Sequence, residues 1–266
     1  MITEKILPDV GFGTWDVRGD HGKEILKEAL AVGYRLIDTA EMYENEDIVG
    51  TAVKESGIPR DQIFVTSKIS HKCKSAADTK RAVQEALKRM RLDYVDLMLI
   101  HEPYSTYGAM YQGLQDAMQE GLVEHIGVSN FNEQQLVSLL KIADEKPAVN
   151  QIESHIYYPQ LAFSGKLREQ GIQMQSWAPF TEGRRDVFHE TILLDIGEKH
   201  GKSVGQIALR YLVQNGICVI PKSSERNRME ENLDVFDFEL DREDIELIQH
   251  LDGKRSLFGW YTGQWM

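Results

Sequence analysis

Cysteine is nearly absent: the 266 residues include two, Cys73 and Cys218, far apart and without metal-ligand spacing. A disulfide framework or a thiolate metal cage is therefore not expected, and the usage suits a reducing cytoplasm. Long hydrophobic runs are absent too, none approaching the ~20 apolar residues of a bilayer span. The opening MITEKILPDVGFG lacks the basic segment and long apolar core of a secretory signal. Positive charge is in the minority, 30 Lys and Arg against 42 Asp and Glu, for a formal net charge of −12. Such a surface repels polyanions, so nucleic acid is not an expected partner, and any phosphate must meet a local cationic patch. The eight histidines form no H-x-x-x-H pair, and no metal site is expected.

What the chain does have is a repeat of element type without a repeat of sequence. Eight short runs rich in apolar and β-branched residues recur: DVGFGTW, YRLIDTA, FVTSKI, YVDLMLIH, EHIGVSN, AVNQIE, QMQSWAP and ICVIPKS. Amphipathic helical patterns separate most of them. In AADTKRAVQEALKRMRL, Ala82, Leu87 and Met90 fall at helical spacing among basic positions. Strand then helix, repeated without a polar linker, predicts an α/β fold: a parallel sheet closed into a (β/α)8 TIM barrel, one domain over 1–266. The stretch between Trp177 and Ile220 exceeds what one crossover needs and predicts an extra loop or helix. A doubly wound open sheet is the runner-up, but its G-x-G-x-x-G fingerprint fails, because GFGTWD has Gly11 and Gly13 and then Asp16.

Active sites of such barrels lie at the C-terminal ends of the strands. Three strands finish there on ionisable groups, Asp38, Lys68 and His101, and Tyr43 follows Asp38 by five residues. Singly, each has a plain explanation: Asp38 caps a helix, Lys68 pairs with it, and His101 is a satisfied core imidazole. Jointly they read as a catalytic set. A phenol of pKa ~10 is a poor acid at neutral pH, and an ammonium held by a carboxylate is expected to bring that pKa closer by stabilising the phenolate. Tyr43 then becomes a proton donor, and His101 can hold a carbonyl oxygen as it gains charge. This set holds no hydride, so a cofactor must carry one. Ser129, Asn130 and Gln151 offer polar partners for a carboxamide, and Trp177 a flat face for a nicotinamide-sized ring. PKSSERNR, with Lys222, Arg226 and Arg228, is a cationic patch placed after the eighth strand, where barrels often bind phosphate.

Over essentially its whole length the chain resembles an aldo-keto reductase. The resemblance is carried by GFGTW, GYRLIDTAEMYENE, VTSK, DLMLIH, GVSNFN, NQIE, SWAPF and IPKS with the later Arg228, Glu231 and Asn232. Prokaryotic members related to diketogluconate reductases are the most similar in kind. The resemblance implies NADPH-dependent reduction of an aldehyde, ketone or keto-sugar, with Tyr43 as acid, Asp38 and Lys68 tuning it and His101 orienting the carbonyl. It implies cofactor contacts at Gly13, Thr14, Asp38, Ser129, Asn130, Gln151, Trp177, Ala178, Pro179, Phe180 and Ser224, with Lys222, Ser223 and Arg228 at the 2′-phosphate and Glu231 and Asn232 near the adenine. It also implies a substrate pocket at Trp15, Tyr43, His101 and Glu102, in a monomer or weak homodimer. The alternative is an NADPH-binding regulatory protein of slow turnover.

Four departures from the family pattern stand out. The segment before the first strand is short for the hairpin that plugs the barrel floor. Glu102, in HEP, stands where close relatives often carry tryptophan. SHIYYP follows NQIE, and the tail SLFGWYTGQWM is compact and aromatic-rich. Glu102 is expected either to border the pocket and disfavour anionic carbonyl compounds, or to point away and pair with a basic neighbour. Phe258, Trp260, Tyr261 and Trp265 either wall the pocket or pack the tail on the barrel rim.

Overall fold

A computed structural model describes residues 5–259. Eight parallel strands pair in chain order: β1 (Phe12–Gly13), β2 (Leu36–Asp38), β3 (Phe64–Ile69), β4 (Val95–Ile100), β5 (Val123–Ser129), β6 (Val149–Glu153), β7 (Gln173–Trp177) and β8 (Cys218–Val219). Seven lie within one of the eight apolar runs, and β5 begins at Val123, one residue before its run EHIGVSN. The sheet closes where Val10 bridges Val219, with Gly11 N–H donating to Val219 O at 2.8 Å and Gly13 N–H to Pro221 O at 3.2 Å. A Cβ on Gly13 would stand 2.7 Å from the Ile220 carbonyl oxygen, so this glycine is required by the close approach of β1 to the chain after β8.

Helices fill the crossovers: α1 (Gly19–Val32), α2 (Glu46–Glu55), α3 (Ala76–Met90), α4 (Tyr107–Gln119), α5 (Glu133–Leu140) and α6 (Leu161–Glu169). The long stretch after β7 holds α7 (Thr191–His200) and α8 (Val204–Gln214), and α9 (Arg226–Leu233) and α10 (Arg242–Gln249) follow β8. Local chemistry explains their ends. Ser75 accepts from Asp78 N–H at 3.1 Å to start α3, and Ser203 and Gln206 form a reciprocal capping box at α8. On α3 the buried stripe is Thr79, Val83, Ala86, Leu87 and Met90, so Ala82, expected on the apolar face, sits at its half-buried edge.

Two apolar layers result. The larger lies between strands and helices, while Leu7, Leu36, Leu97, Leu99, Val149, Cys218 and Ile220 fill the barrel interior. Ile6 and Leu7 N–H groups donate to Gln173 Oε1 at 3.2 and 3.0 Å, and Leu7 enters that interior from the residues preceding β1. Both cysteines are buried and free. No helix among the described residues is long and apolar enough to cross a membrane.

Candidate active site

A strand's period of two sends Leu36 and Asp38 to one side of β2, Thr66 and Lys68 to one side of β3, and Val149, Gln151 and Glu153 to one side of β6. Leu36, Leu97, Leu99 and Val149 belong to the interior apolar cluster. The polar members of the same columns therefore stack above it, toward the C-terminal mouth. There Lys68, fully buried, donates to Asp38 Oδ1, to Thr39 O at 2.9 Å and to Tyr43 Oη at 3.4 Å. Gln151 Nε2 donates to Asp38 Oδ2 and to Gln175 Oε1, both at 2.6 Å. Asp38 thus uses both oxygens inside the barrel and caps no helix. The Tyr43 ring meets Trp15 edge-on at 5.1 Å and His101 at 5.7 Å between centroids.

Burial sets the protonation states. It raises the Asp38 carboxyl pKa against the pull of Lys68. It also opposes the Lys68 ammonium, but Asp38 and Tyr43 more than offset it, and the Lys68 pKa is raised. Tyr43 corrects the sequence expectation. Lys68 does favour its phenolate, yet burial outweighs that pull, Asp38 and Glu182 oppose it as well, and the phenol pKa is raised rather than brought down. Tyr43 is a neutral O–H donor at pH 7. Burial, with Lys68 adding to it, lowers His101 to about 3, so its imidazole is neutral, and its Nδ1 is buried without a hydrogen-bond partner among the described residues.

A second polar string runs beside the first. Trp177 Nε1 donates to Asn130 Oδ1 at 2.8 Å, and Asn130 Nδ2 reaches Glu102 Oε1 at 2.9 Å and Ser129 Oγ at 3.3 Å. Glu102 pairs with no basic neighbour among the described residues, nor is it an ordinary carboxylate: burial raises its pKa to about 8, against smaller opposing effects of Asn130 and Lys68. At neutral pH it is mostly uncharged, which corrects both sequence alternatives. The two N–H groups of Gln151 are taken by Asp38 and Gln175, which leaves its oxygen to accept from a carboxamide.

A cavity of about 370 Å³ is lined by Gly13, Thr14, Trp15, Asp38, Tyr43, Trp177, Ala178, Pro179, Phe180 and Lys222. A larger one, about 1050 Å³, adjoins it at Phe180 and Lys222, which line both, and extends along Ser223, Ser224, Arg228, Glu231 and Asn232. His101, Glu102, Ser129, Asn130 and Gln151 line neither; they touch the smaller cavity's walls through Tyr43, Trp177 and Asp38. Within the cationic patch, Arg226 is tied to Glu28 and, at 2.7 Å, to Glu230. Arg228 reaches Glu225 at 3.4 Å and is 67% exposed, and Lys222 makes no ion pair among the described residues. A double cavity with the exposed Arg228 and the unpaired Lys222 at one end and an indole at the other fits a dinucleotide carrying an extra phosphate.

Several wall residues had not been singled out. Asp16 and Glu182 line the smaller cavity, and Phe188, Leu194 and Lys202 the larger. Asn45 is buried between two loops, its Nδ2 reaching Thr14 O at 2.8 Å and Val17 O at 3.0 Å and its Oδ1 accepting from Thr39 Oγ1 at 2.5 Å. It thereby fixes the Trp15 loop against the Tyr43 loop; its place in MYENE beside Tyr43 was the available signal. Among the tail aromatics, Phe258 packs on Trp177 at 4.9 Å, while Trp260, Tyr261 and Trp265 lie outside the described residues.

The aldo/keto reductase family model matches residues 9–252. A glyoxal reductase of Bacillus subtilis is 41% identical over 92% of this chain and 89% of its own length. A 2,5-diketo-D-gluconic acid reductase B of Corynebacterium sp. is 40% identical over the same 92% and 89%. The crystal structure of a Bombyx mori aldo-keto reductase in complex with NADP superposes with a TM-score of 0.88 at 33% identity, covering 94% of this chain and 91% of that one. With the eight-stranded barrel and the Asp38–Lys68–Tyr43 cluster at its mouth, these matches establish that the chain belongs to the aldo/keto reductase family.

Proposed function

We propose that this protein reduces the carbonyl group of small aldehydes, ketones or keto-sugars with NADPH, and that Tyr43 is the proton donor. The observation that carries the reading is the buried Lys68 ammonium, held by Asp38 and reaching the Tyr43 hydroxyl at 3.4 Å on the wall of a cavity. Bound NADPH supplies the hydride. Lys222, Ser223 and Arg228 are suited to its phosphate end, Glu231 and Asn232 to the adenine, and Trp177, with the turn Ala178–Phe180, to the nicotinamide end. Tyr43, protonated at neutral pH, donates to a carbonyl oxygen in the smaller cavity and releases its proton as that oxygen gains charge. Lys68 stabilises the phenolate left behind, and Asp38 and Thr39 keep the ammonium from turning away. Neutral His101 can donate one N–H to the same oxygen without repelling Lys68.

The names of the two bacterial relatives, a glyoxal and a diketogluconic acid reductase, support a small polar carbonyl substrate. The reading is completed by one barrel domain over 1–266 acting as a monomer or weak homodimer in the cytoplasm. An NADPH-consumption screen across aldehydes, diketones and keto-sugars tests it. Wild type is expected to turn over at least one class, and Tyr43→Phe to lose about 10²–10⁴-fold in kcat with NADPH binding nearly intact. A Tyr43→Phe enzyme as fast as wild type refutes the assignment of the acid.

A further inference from the structure

Glu153 occupies the position in β6 from which a catalytic group would be expected to project. It follows Val149 and Gln151 on the interior face, one step above the Gln151 that holds Asp38, and it is in register with Trp177 of β7. Yet its carboxylate faces no open space. The side chain is 0% exposed, and among the described residues no lysine or arginine pairs with it. Its donors are His155 Nε2 at 3.1 Å on Oε1, Leu257 N–H at 2.8 Å on the same oxygen, and the Ser256 hydroxyl on Oε2. Two of these three come from the C-terminal segment. A buried carboxylate left without partners is strongly unfavourable, so the segment completes Glu153 and Glu153 in turn fixes the segment.

The Ser256 hydroxyl passes the constraint on. Its oxygen accepts from Phe258 N–H at 3.0 Å and Gly259 N–H at 2.8 Å, closing a tight turn that sets the Phe258 ring edge-on to Trp177 at 4.9 Å. The Arg184 guanidinium lies 5.1 Å from the same phenyl ring, so the turn is held against the loop after β7 as well. The route from the carboxylate to the wall of the smaller cavity is therefore unbroken: Glu153, Ser256, Phe258, Trp177.

We propose that Glu153 is a positioning residue that latches the Ser256–Gly259 turn over Trp177 and thereby selects among carbonyl substrates by size. The selectivity part rests on the reductase reading above; the latch itself does not. A carboxylate is the group suited to the task because both oxygens only accept, whereas an isosteric glutamine offers one acceptor and turns an N–H₂ toward a donor. Glu153→Gln should raise amide hydrogen exchange at Leu257, Phe258 and Gly259 by about 10-fold or more, with the exchange of β4 and β6 unchanged. In steady-state assays it should shift the kcat/KM ratio of benzaldehyde to glyoxal by roughly 5–10-fold, chiefly through KM, with kcat on glyoxal nearly unchanged. Ser256→Ala, which leaves the barrel interior untouched, should reproduce both effects, and the double variant should add little to either single one. Unchanged exchange in the tail of Ser256→Ala overturns the latch. Loosened exchange with an unchanged substrate ratio overturns its part in selection. If wild type consumes NADPH with no carbonyl compound, the reductase reading fails, and the exchange measurement still decides whether the latch exists.

Discussion

At the strand ends, Lys68 is completely buried and its ammonium has three oxygen partners. At the far end of the double cavity, Arg228 is 67% exposed with a single carboxylate 3.4 Å away, and Lys222 has none among the described residues. The two regions divide the work. A charge inside the barrel must be fully partnered before any ligand arrives, which gives the reacting cluster one geometry. A charge on the rim stays hydrated and pliable, and it gains a fixed partner only when an anionic group docks.

The strongest way to break this contrast is Lys68→Met. It leaves Asp38 buried without its counter-charge and should lower unfolding stability by about 3–5 kcal/mol, with loss of activity on every carbonyl. Urea denaturation gives the number; a loss no larger than that of a surface substitution would mean that Asp38 finds another way to be neutralised. Arg228→Ala is the complementary test at the rim. It should leave stability within about 0.5 kcal/mol of wild type, yet weaken NADPH roughly 10-fold while NADH is little affected. Equal weakening of both cofactors, measured by fluorescence titration, removes Arg228 from the 2′-phosphate.

Glu102→Gln sharpens the comparison at smaller scale, because Glu102 lies between the two extremes. Its folded carboxyl keeps its proton to about 8, against 4.5 for an ordinary glutamate. Between those pH values the folded protein binds more protons than the unfolded chain, so this residue's contribution to stability is complete below 4.5 and is lost as pH rises through about 8. Denaturation midpoints of wild type should therefore fall more steeply from pH 5 to pH 8.5 than those of Glu102→Gln. In the same way, discrimination against a carboxylate-bearing aldehyde relative to a matched neutral one should emerge in wild type only as pH passes about 8, and should be absent from the Gln variant. Parallel pH profiles would remove Glu102 from both effects.

How legible each feature was depends on the range of the interaction that makes it. Asp38, Lys68 and His101 were readable because each ends an apolar strand, and a barrel sends strand ends to one place. Arg226 counted in the cationic patch after β8, and its tie to Glu28 was not legible because Glu28 belongs to α1 at the other end of the chain. Glu153 was quoted in NQIE without a role, since its partners Ser256 and Leu257 lie about a hundred positions away. The two backbone acceptors of the Asn45 amide, Thr14 O and Val17 O, likewise reach it only once the β1–α1 loop lies beside it.

The sequence by itself determined the order of the elements, the barrel, and the identities of the groups at its mouth, because alternation along a strand and periodicity along a helix are local properties that eight repetitions make unambiguous. Only the tertiary structure decided their chemical states. Whether Tyr43 is more or less acidic than a free phenol, and whether Glu102 is charged, depends on small differences between burial and the pull of groups on other strands. Those differences have no sign until the distances are fixed.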